Sequence, residues 1–317
     1  MALQGKYSTD ILLRRLVAFI RLGRYLFLAG GFVFYGLGAA VALYLGVPIN
    51  LKTYLWGQAI VTATQLMVHY SNDYFDLDSD GLNIAPTAWS GGSRVLLENL
   101  FSPRVALITA LALGTSALVL LITLVIVEHP SPAVPILAVS ALILSWSYSA
   151  PPVRLHSRGI GEITATLIVA VLTPLLAFAL QAGRVALLPI LAVLPLLFLQ
   201  FNMLLSVALA DVESDSLAGK RTLAVRLGRS GSARLYVAGL AAAYLLVPLV
   251  MLLGLPAPVA GAFSLSLLLA APLALWTAHG AWARPERGAT FAFCSIALLI
   301  SGATLELITF LAMSIRP

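Results

Sequence analysis

The chain has 317 residues, of which 60% are hydrophobic and 10% charged, and its mean hydropathy is +0.98. Soluble domains carry about 25% charged residues, so these proportions exclude a water-facing globular surface and give an all-α, polytopic membrane protein as the expected fold class. The net charge of +6 would suggest a nucleic-acid partner in a soluble chain. Here the Lys and Arg residues stand in short loops beside apolar runs, so a membrane surface accounts for them and no nucleic acid is expected.

In chain order, Arg14 and Arg15 are followed by Arg21, Arg24 and then a full-length apolar run. This reads as an anchored cytoplasmic lead-in and not as a cleaved twin-arginine peptide. Apolar runs bounded by Pro, Gly or charge predict about nine transmembrane helices, at 25–46, 54–74, 104–127, 133–149, 160–181, 187–209, 233–253, 257–277 and 289–313. Cys294 is the one cysteine and lies inside such a run, which leaves neither an intramolecular disulfide nor a Cys-based metal site.

With the N-terminus placed in the cytoplasm, only Lys52, Arg184 and Arg316 of the 19 Lys and Arg residues fall outside. That asymmetry follows the positive-inside rule. The predicted outer loops are short turns, whereas the inner loops at about 75–103 and 210–232 are long and polar, which is where function is expected.

Seven of the thirteen Asp and Glu residues fall in two short segments that follow directly on the second and sixth predicted spans, Asn72–Asp80 and Asp211–Asp215. Asn72, Asp76 and Asp80 are four apart, as are Asp211 and Asp215, so their oxygens share one helical face. Like charges so placed repel, and a helix C-terminus is itself negative, so a cation should compensate. Magnesium suits such a set, because it takes oxygen ligands from one or two carboxylates and completes them with water and substrate phosphates. Asn72, Asp76, Asp80, Asp211 and Asp215 are the candidate metal-site residues, with Asp73 aiding a metal or a second substrate. Arg94, Arg154, Arg158, Lys220 and Arg221 could neutralise a diphosphate. Set against this, charges at helix ends are commonly just solvated, and it is the paired pattern that favours metal.

Asp76 and Asp211 are separated by 135 residues, as are Asp80 and Asp215. This suggests a single membrane-embedded domain, 1–317, built from related halves at about 25–149 and 160–277, with the motifs facing each other across a central cavity. Other polar residues admit two readings. His69 is a candidate above the metal site or a hydrogen-bonded interior histidine. Gln200 and Asn202 either line the cavity and touch substrate or join helices. Glu306 is costly in lipid and is a functional candidate by default. Trp89, Trp146 and Tyr148 could shield a carbocation or anchor at the interface.

At Asn72-Asp73-x-x-Asp76-x-x-x-Asp80 and Asp211-x-x-x-Asp215 the sequence resembles the UbiA superfamily of intramembrane prenyltransferases. The resemblance implies nine helices around a cavity, magnesium ions bridging the Asp motifs to a prenyl diphosphate, and a lipid-facing opening for the isoprenoid tail. Asp211–Gly228 and the segment Ser90-Gly-Gly-Ser-Arg94-Val-Leu are similar to the menaquinone branch, which prenylates 1,4-dihydroxy-2-naphthoate. That branch commonly has Asn-Asn-x-Arg before the second motif, where this chain has Val207, Ala208, Leu209 and Ala210, so 4-hydroxybenzoate, homogentisate, chlorophyllide and a glycerol phosphate lipid stay open as acceptors. An ion-coupled transporter is the rival from another class, although transporters place their charges near the bilayer midplane.

Overall fold

The computed structural model describes residues 2–315, with side chains from residue 12 onward except at residue 285. Arg316 and the side chain of Lys6, both counted in the charge asymmetry, lie outside the described residues. Every predicted span falls on a helical segment.

A leading helix α1, Ala2–Leu22, runs through a short turn at Arg24 into α2, Leu28–Tyr44. Next come α3, Leu51–Phe75, and the six-residue α4, Leu77–Leu82. Asn50 caps α3 by accepting from the Thr53 N–H at 3.2 Å, which satisfies one of the orphan donors of a helix start. Pro103 opens α5, Pro103–Glu128, at a position where its missing N–H costs nothing. Helix α6, Ala133–Ser149, ends the first half.

The fifth predicted span is α7, Gly161–Thr166, a π-helical turn over Leu167–Leu172, and α8, Thr173–Ala182. Pro174 explains the turn: it donates no hydrogen bond and its ring crowds the carbonyl four residues back, so the local register widens. The Thr173 hydroxyl bonds the Ile168 carbonyl at 2.9 Å within it.

Helix α9, Leu187–Ala208, is followed by the short α10, Val212–Leu217. Helix α11, Leu223–Leu245, is broken at Gly228 and continues into α12, Val247–Leu252. Helices α13, Ala257–Leu265, and α14, Leu267–Ala278, meet at a 43° bend. Helix α15, Gly288–Ile315, closes the bundle.

Among the described residues, six helices are long and apolar enough to cross a membrane, seven if the bent α13–α14 pair is one span. Length and composition therefore do not by themselves carry the expected nine. The two shortfalls have physical causes. Helix α6 has 17 residues, and α3, though 25 residues long, carries Gln58, Gln65, His69 and Asn72 on a helix that serves the interior.

Helix α3 packs on α2, α5, α6 and α8, while α9 packs on α7, α11 and α15. Helix α2 lies against both α8 and α15 and so joins the two sets. Ile108, Leu111, Leu118, Ile122 and Ile126 of α5 are exposed. A row of that kind would be a liability in water and is an ordinary lipid-facing surface in a bilayer. Inside, helices are tied by single polar contacts: Trp56 Nε1 donates to the Leu120 carbonyl at 3.0 Å and the Tyr236 hydroxyl meets Ser295 Oγ at 2.7 Å.

Candidate active site

The two acidic segments have the same local fold. Helix α3 ends at Asp76 (φ −101°, ψ 5°) and α4 begins there; Asp211 (φ −98°, ψ 2°) opens α10 three residues after α9. Asp80 N–H donates to the Asp76 carbonyl at 2.8 Å, and Asp215 N–H to the Asp211 carbonyl at 2.8 Å. The hydroxyls of Ser79 and Ser214 donate to the same two carbonyls, at 2.9 and 3.0 Å. One turn of helix after each break thus brings carboxylates four residues apart onto one side.

Helices α4 and α10 pack against each other, so the segments face one another. Asn83 Nδ2 donates to Asp211 Oδ1 at 2.7 Å. Lys220 Nζ stands 2.8 Å from Asp76 and 3.3 Å from Asp215, all three nearly enclosed. Asn72 Nδ2 donates to Asp76 Oδ2 at 2.8 Å. Asp73 points elsewhere: it pairs with Arg24, whose Nη2 lies at 2.9 Å, and accepts from the Ser93 hydroxyl and N–H.

The loop over 90–94 closes the top of the site. Gly92 has φ +73°, and a Cβ there would stand 2.1 Å from Asp80 Oδ2. Glycine is therefore needed both for the backbone and for the close approach to the carboxylate. Arg94, also with positive φ, donates from Nη1 to the Asp80 carbonyl at 2.6 Å.

These side chains wall a polar pocket of about 90 Å³ that is lined by Asp76, Asp80, Glu162, Asp211 and Asp215 and by the cations Arg24 and Lys220. Five carboxyl groups against two permanent cations leave an excess of negative charge. Burial, reinforced by Asp76 and Asp73 and opposed by Arg24 and Lys220, pushes the Asp80 carboxyl up to about 8. Burial followed by the neighbouring Asp215 pushes Asp211 up to about 6, against the Gly91 N–H and the cations. Burial disfavours the Lys220 ammonium, yet Asp76 and Asp215 outweigh it and its pKa is raised.

Hard oxygen donors and unneutralised charge fit a divalent cation. Among the described residues no three acidic, His or Cys side chains converge on one point. That suits a metal held by one or two carboxylates per ion and completed by substrate oxygens, and not an all-protein cage.

Beneath the polar pocket lies an apolar cavity of about 260 Å³, bounded by α2, α3, α6, α7, α9 and α15. Arg24, Asn72, Trp89, Tyr148, Leu204 and Val207 line both spaces, so the acidic site sits at the mouth of a greasy chamber in the centre of the bundle.

Of the basic residues expected to meet a diphosphate, Lys220 lines the polar pocket, and Arg94 braces its roof without lining it. Arg154, Arg158 and Arg221 are exposed and line neither space. Arg158 donates to the Pro152 carbonyl at 2.8 Å, and the Arg221 backbone N–H bonds the Ser157 carbonyl, contacts that tie the loops together. His69 lines the apolar cavity, its Nε2 buried without a partner. Gln200 lines that cavity, whereas Asn202 turns away and donates to the Tyr236 carbonyl at 2.9 Å, as a link between α9 and α11. Glu306 is wholly buried away from both spaces.

Sequence reasoning passed over Arg24, Asn83 and Glu162. Arg24 is one of several arginines in a basic lead-in, and its distinguishing feature, a left-handed backbone at φ 45° that turns it toward Asp73, is not legible in composition.

An all-helical membrane bundle that presents paired acidic helix starts at the mouth of an apolar chamber is built to hold a charged head and a hydrocarbon tail together. The chain belongs to the UbiA prenyltransferase family, whose sequence model matches residues 25–302, and it is accordingly a multi-pass membrane prenyltransferase. It is 32% identical over 243 residues to the 1,4-dihydroxy-2-naphthoate octaprenyltransferase of Mycobacterium tuberculosis, covering 75% of this chain and 77% of that one. To the enzyme of the same name from Bacillus subtilis it is 24% identical over 231 residues, 73% and 72% of the two chains. Its fold is similar to a UbiA homolog from Archaeoglobus fulgidus bound to DMAPP and Mg2+, with a TM-score of 0.58, 17% identity, and coverage of 90% and 98%.

Proposed function

We propose that this chain transfers a polyprenyl group from a prenyl diphosphate to 1,4-dihydroxy-2-naphthoate, with magnesium, at the cytoplasmic face of a membrane. The observation that carries the reading is the facing of Asp76 and Asp80 with Asp211 and Asp215 across a pocket that opens into an apolar chamber. The naphthoate is favoured over other aromatic acceptors by the curated relatives in two bacterial groups, which bear that activity in their names.

Asp76, Asp80, Asp211 and Asp215, with Asn72 beside them, hold the metal. Magnesium, once bound, supplies positive charge to the oxygens of the departing diphosphate. Lys220 and Arg24 add fixed positive charge at the same mouth, already oriented by their carboxylate partners, so little reorganisation is needed as the bond breaks. The apolar chamber takes the isoprenoid tail and keeps water from an allylic cation. Trp89 and Tyr148 stand on the boundary of the two spaces, where aromatic rings can stabilise that cation.

The cytoplasmic placement rests on charge: Arg21, Arg158, Arg226 and Arg229 cluster around the acidic end through contacts with Glu98, Pro152, the Arg158 carbonyl and Glu213, while Lys52 pairs with Glu128 at the far ends of α3 and α5. The matched geometry at Asp76 and Asp211 supports one domain made of two related halves, 25–149 and 160–277.

The test is prenyl transfer by purified protein in liposomes, with labelled prenyl diphosphate, magnesium or EDTA, and 1,4-dihydroxy-2-naphthoate beside 4-hydroxybenzoate and homogentisate. Magnesium-dependent labelling of the naphthoate alone is expected. Labelling of another acceptor in its place would overturn the acceptor assignment.

A further inference from the structure

Glu162 is 2% exposed, and no other side chain among the described residues hydrogen-bonds its carboxyl oxygens. It faces the polar pocket. Asp73 meets Arg24, and Asp76 and Asp215 meet Lys220, but among the described residues no Lys or Arg pairs with Glu162, whose basic neighbour is His156. A buried carboxyl group with no side-chain partner is costly, so its retention on the wall of a substrate-sized space calls for a ligand group.

Its surroundings are built. Gly161 presses the start of α7 onto His156: a Cβ at Gly161 would lie 2.7 Å from His156 Cα and 2.8 Å from Nδ1. The His156 ring stacks on Tyr148 at 5.1 Å, with the Tyr148 hydroxyl 3.2 Å from Nδ1. Tyr148 lines both the polar pocket and the apolar chamber, and Ser145 Oγ, one turn before it on α6, is buried without a partner on the chamber wall. A flat phenol that enters this mouth beside Tyr148 would meet the Glu162 carboxyl on the wall of the polar pocket.

We propose that Glu162 is a catalytic base that takes the proton of the aromatic acceptor's ring hydroxyl, an assignment that rests on the prenyl-transfer reading above. The hydroxyl O–H bond breaks, its proton passes to Glu162, and the electron pair stays on the ring as a phenolate. The ring carbon beside that oxygen bonds to C1 of the prenyl group, while the C1–O bond breaks and its electron pair leaves with diphosphate. The attacked carbon then loses what it bore. If that is hydrogen, it returns to the ring oxygen and Glu162 releases its proton to solvent. If it is a carboxylate, carbon dioxide departs and Glu162 returns its proton to the ring oxygen.

The test compares wild type, Glu162→Gln and Glu162→Asp, using 1,4-dihydroxy-2-naphthoate and a halogenated derivative whose hydroxyl ionises more readily, together with magnesium-dependent binding of geranyl diphosphate. General-base catalysis contributes roughly 10²–10⁴-fold, so Glu162→Gln should lose about a hundredfold or more in kcat with the naphthoate. It should lose clearly less with the halogenated acceptor, bind geranyl diphosphate as wild type does, and be partly rescued in Glu162→Asp. Near-normal turnover of Glu162→Gln, an equal defect with both acceptors, or a parallel loss of geranyl diphosphate binding would overturn the assignment. Wild-type protein that prenylates no aromatic acceptor would overturn the functional reading itself, and is thereby distinguished from a failure of Glu162 alone.

Discussion

Lys220 Nζ lies 2.8 Å from the carboxylate of Asp76, 144 positions earlier in the chain, while also reaching Asp215 at 3.3 Å. One ammonium thereby clasps the two acidic segments together. Even with Lys220 and Arg24 in place, burial and the neighbouring carboxylates hold the Asp80 carboxyl up at about 8.

Asp76→Asn and Asp215→Asn are each expected to lower prenyl-transfer activity by at least about a hundredfold, since each removes metal-holding charge from one segment. Both variants should still elute as folded, monodisperse protein, because each leaves Lys220 one of its two carboxylate partners. Radiolabel transfer and size-exclusion profiles check this, and full activity in both would remove these carboxylates from the metal site.

Lys220→Met breaks an enclosed ion pair whose three members are about 6% exposed. Breaking such a pair by removing one partner costs about 3–5 kcal/mol, so the melting temperature in EDTA should fall. Magnesium should restore part of the loss by neutralising the same carboxylates. A melting temperature unchanged in EDTA would mean that the clasp contributes nothing to stability.

The raised carboxyls set a pH dependence. Asp80 and Asp211 have folded-state values near 8 and 6, above the usual carboxylate range near 4. The folded state therefore holds more protons than the unfolded state between about pH 4 and 8, and its stability declines as pH rises through that window. Thermal melts in EDTA should drop from pH 5 to pH 9, and the drop should shrink in magnesium, which favours the ionised forms. A flat profile in EDTA would contradict the burial of these groups.

Asn202→Ala separates two roles. Its side chain donates to the Tyr236 carbonyl at 2.9 Å, and losing a hydrogen bond of that kind costs about 0.5–1.5 kcal/mol. The melting temperature should fall while KM for both substrates stays within about twofold. A selective rise in acceptor KM would return Asn202 to the cavity wall.

The acidic segments were legible in the sequence because carboxylates repeated at four-residue spacing leave few other arrangements, and the helices because long apolar runs leave few other folds. The neighbours of those carboxylates were not. Arg24 and Asp73 are 49 positions apart, and nothing local marks Arg24 among Arg14, Arg15 and Arg21. Glu162 stands alone in an apolar run and acquires meaning only when the close approach at Gly161 sets it beside His156. Gln200 and Asn202 are two residues apart on α9, hence on different faces, and composition could not say which one meets the chamber. Arg154, Arg158 and Arg221 have the right charge near the right segments, but the loops that carry them turn outward.

The most direct test of the account is calorimetric titration of geranyl diphosphate into the purified protein, in magnesium and in EDTA, for wild type and for a double variant with Asp76→Asn and Asp211→Asn. The account predicts binding by wild type in magnesium that is abolished by EDTA and by the double substitution. Equal binding in EDTA, or undiminished magnesium-dependent binding by the double variant, would contradict the claim that the two facing acidic segments hold the diphosphate through a shared metal.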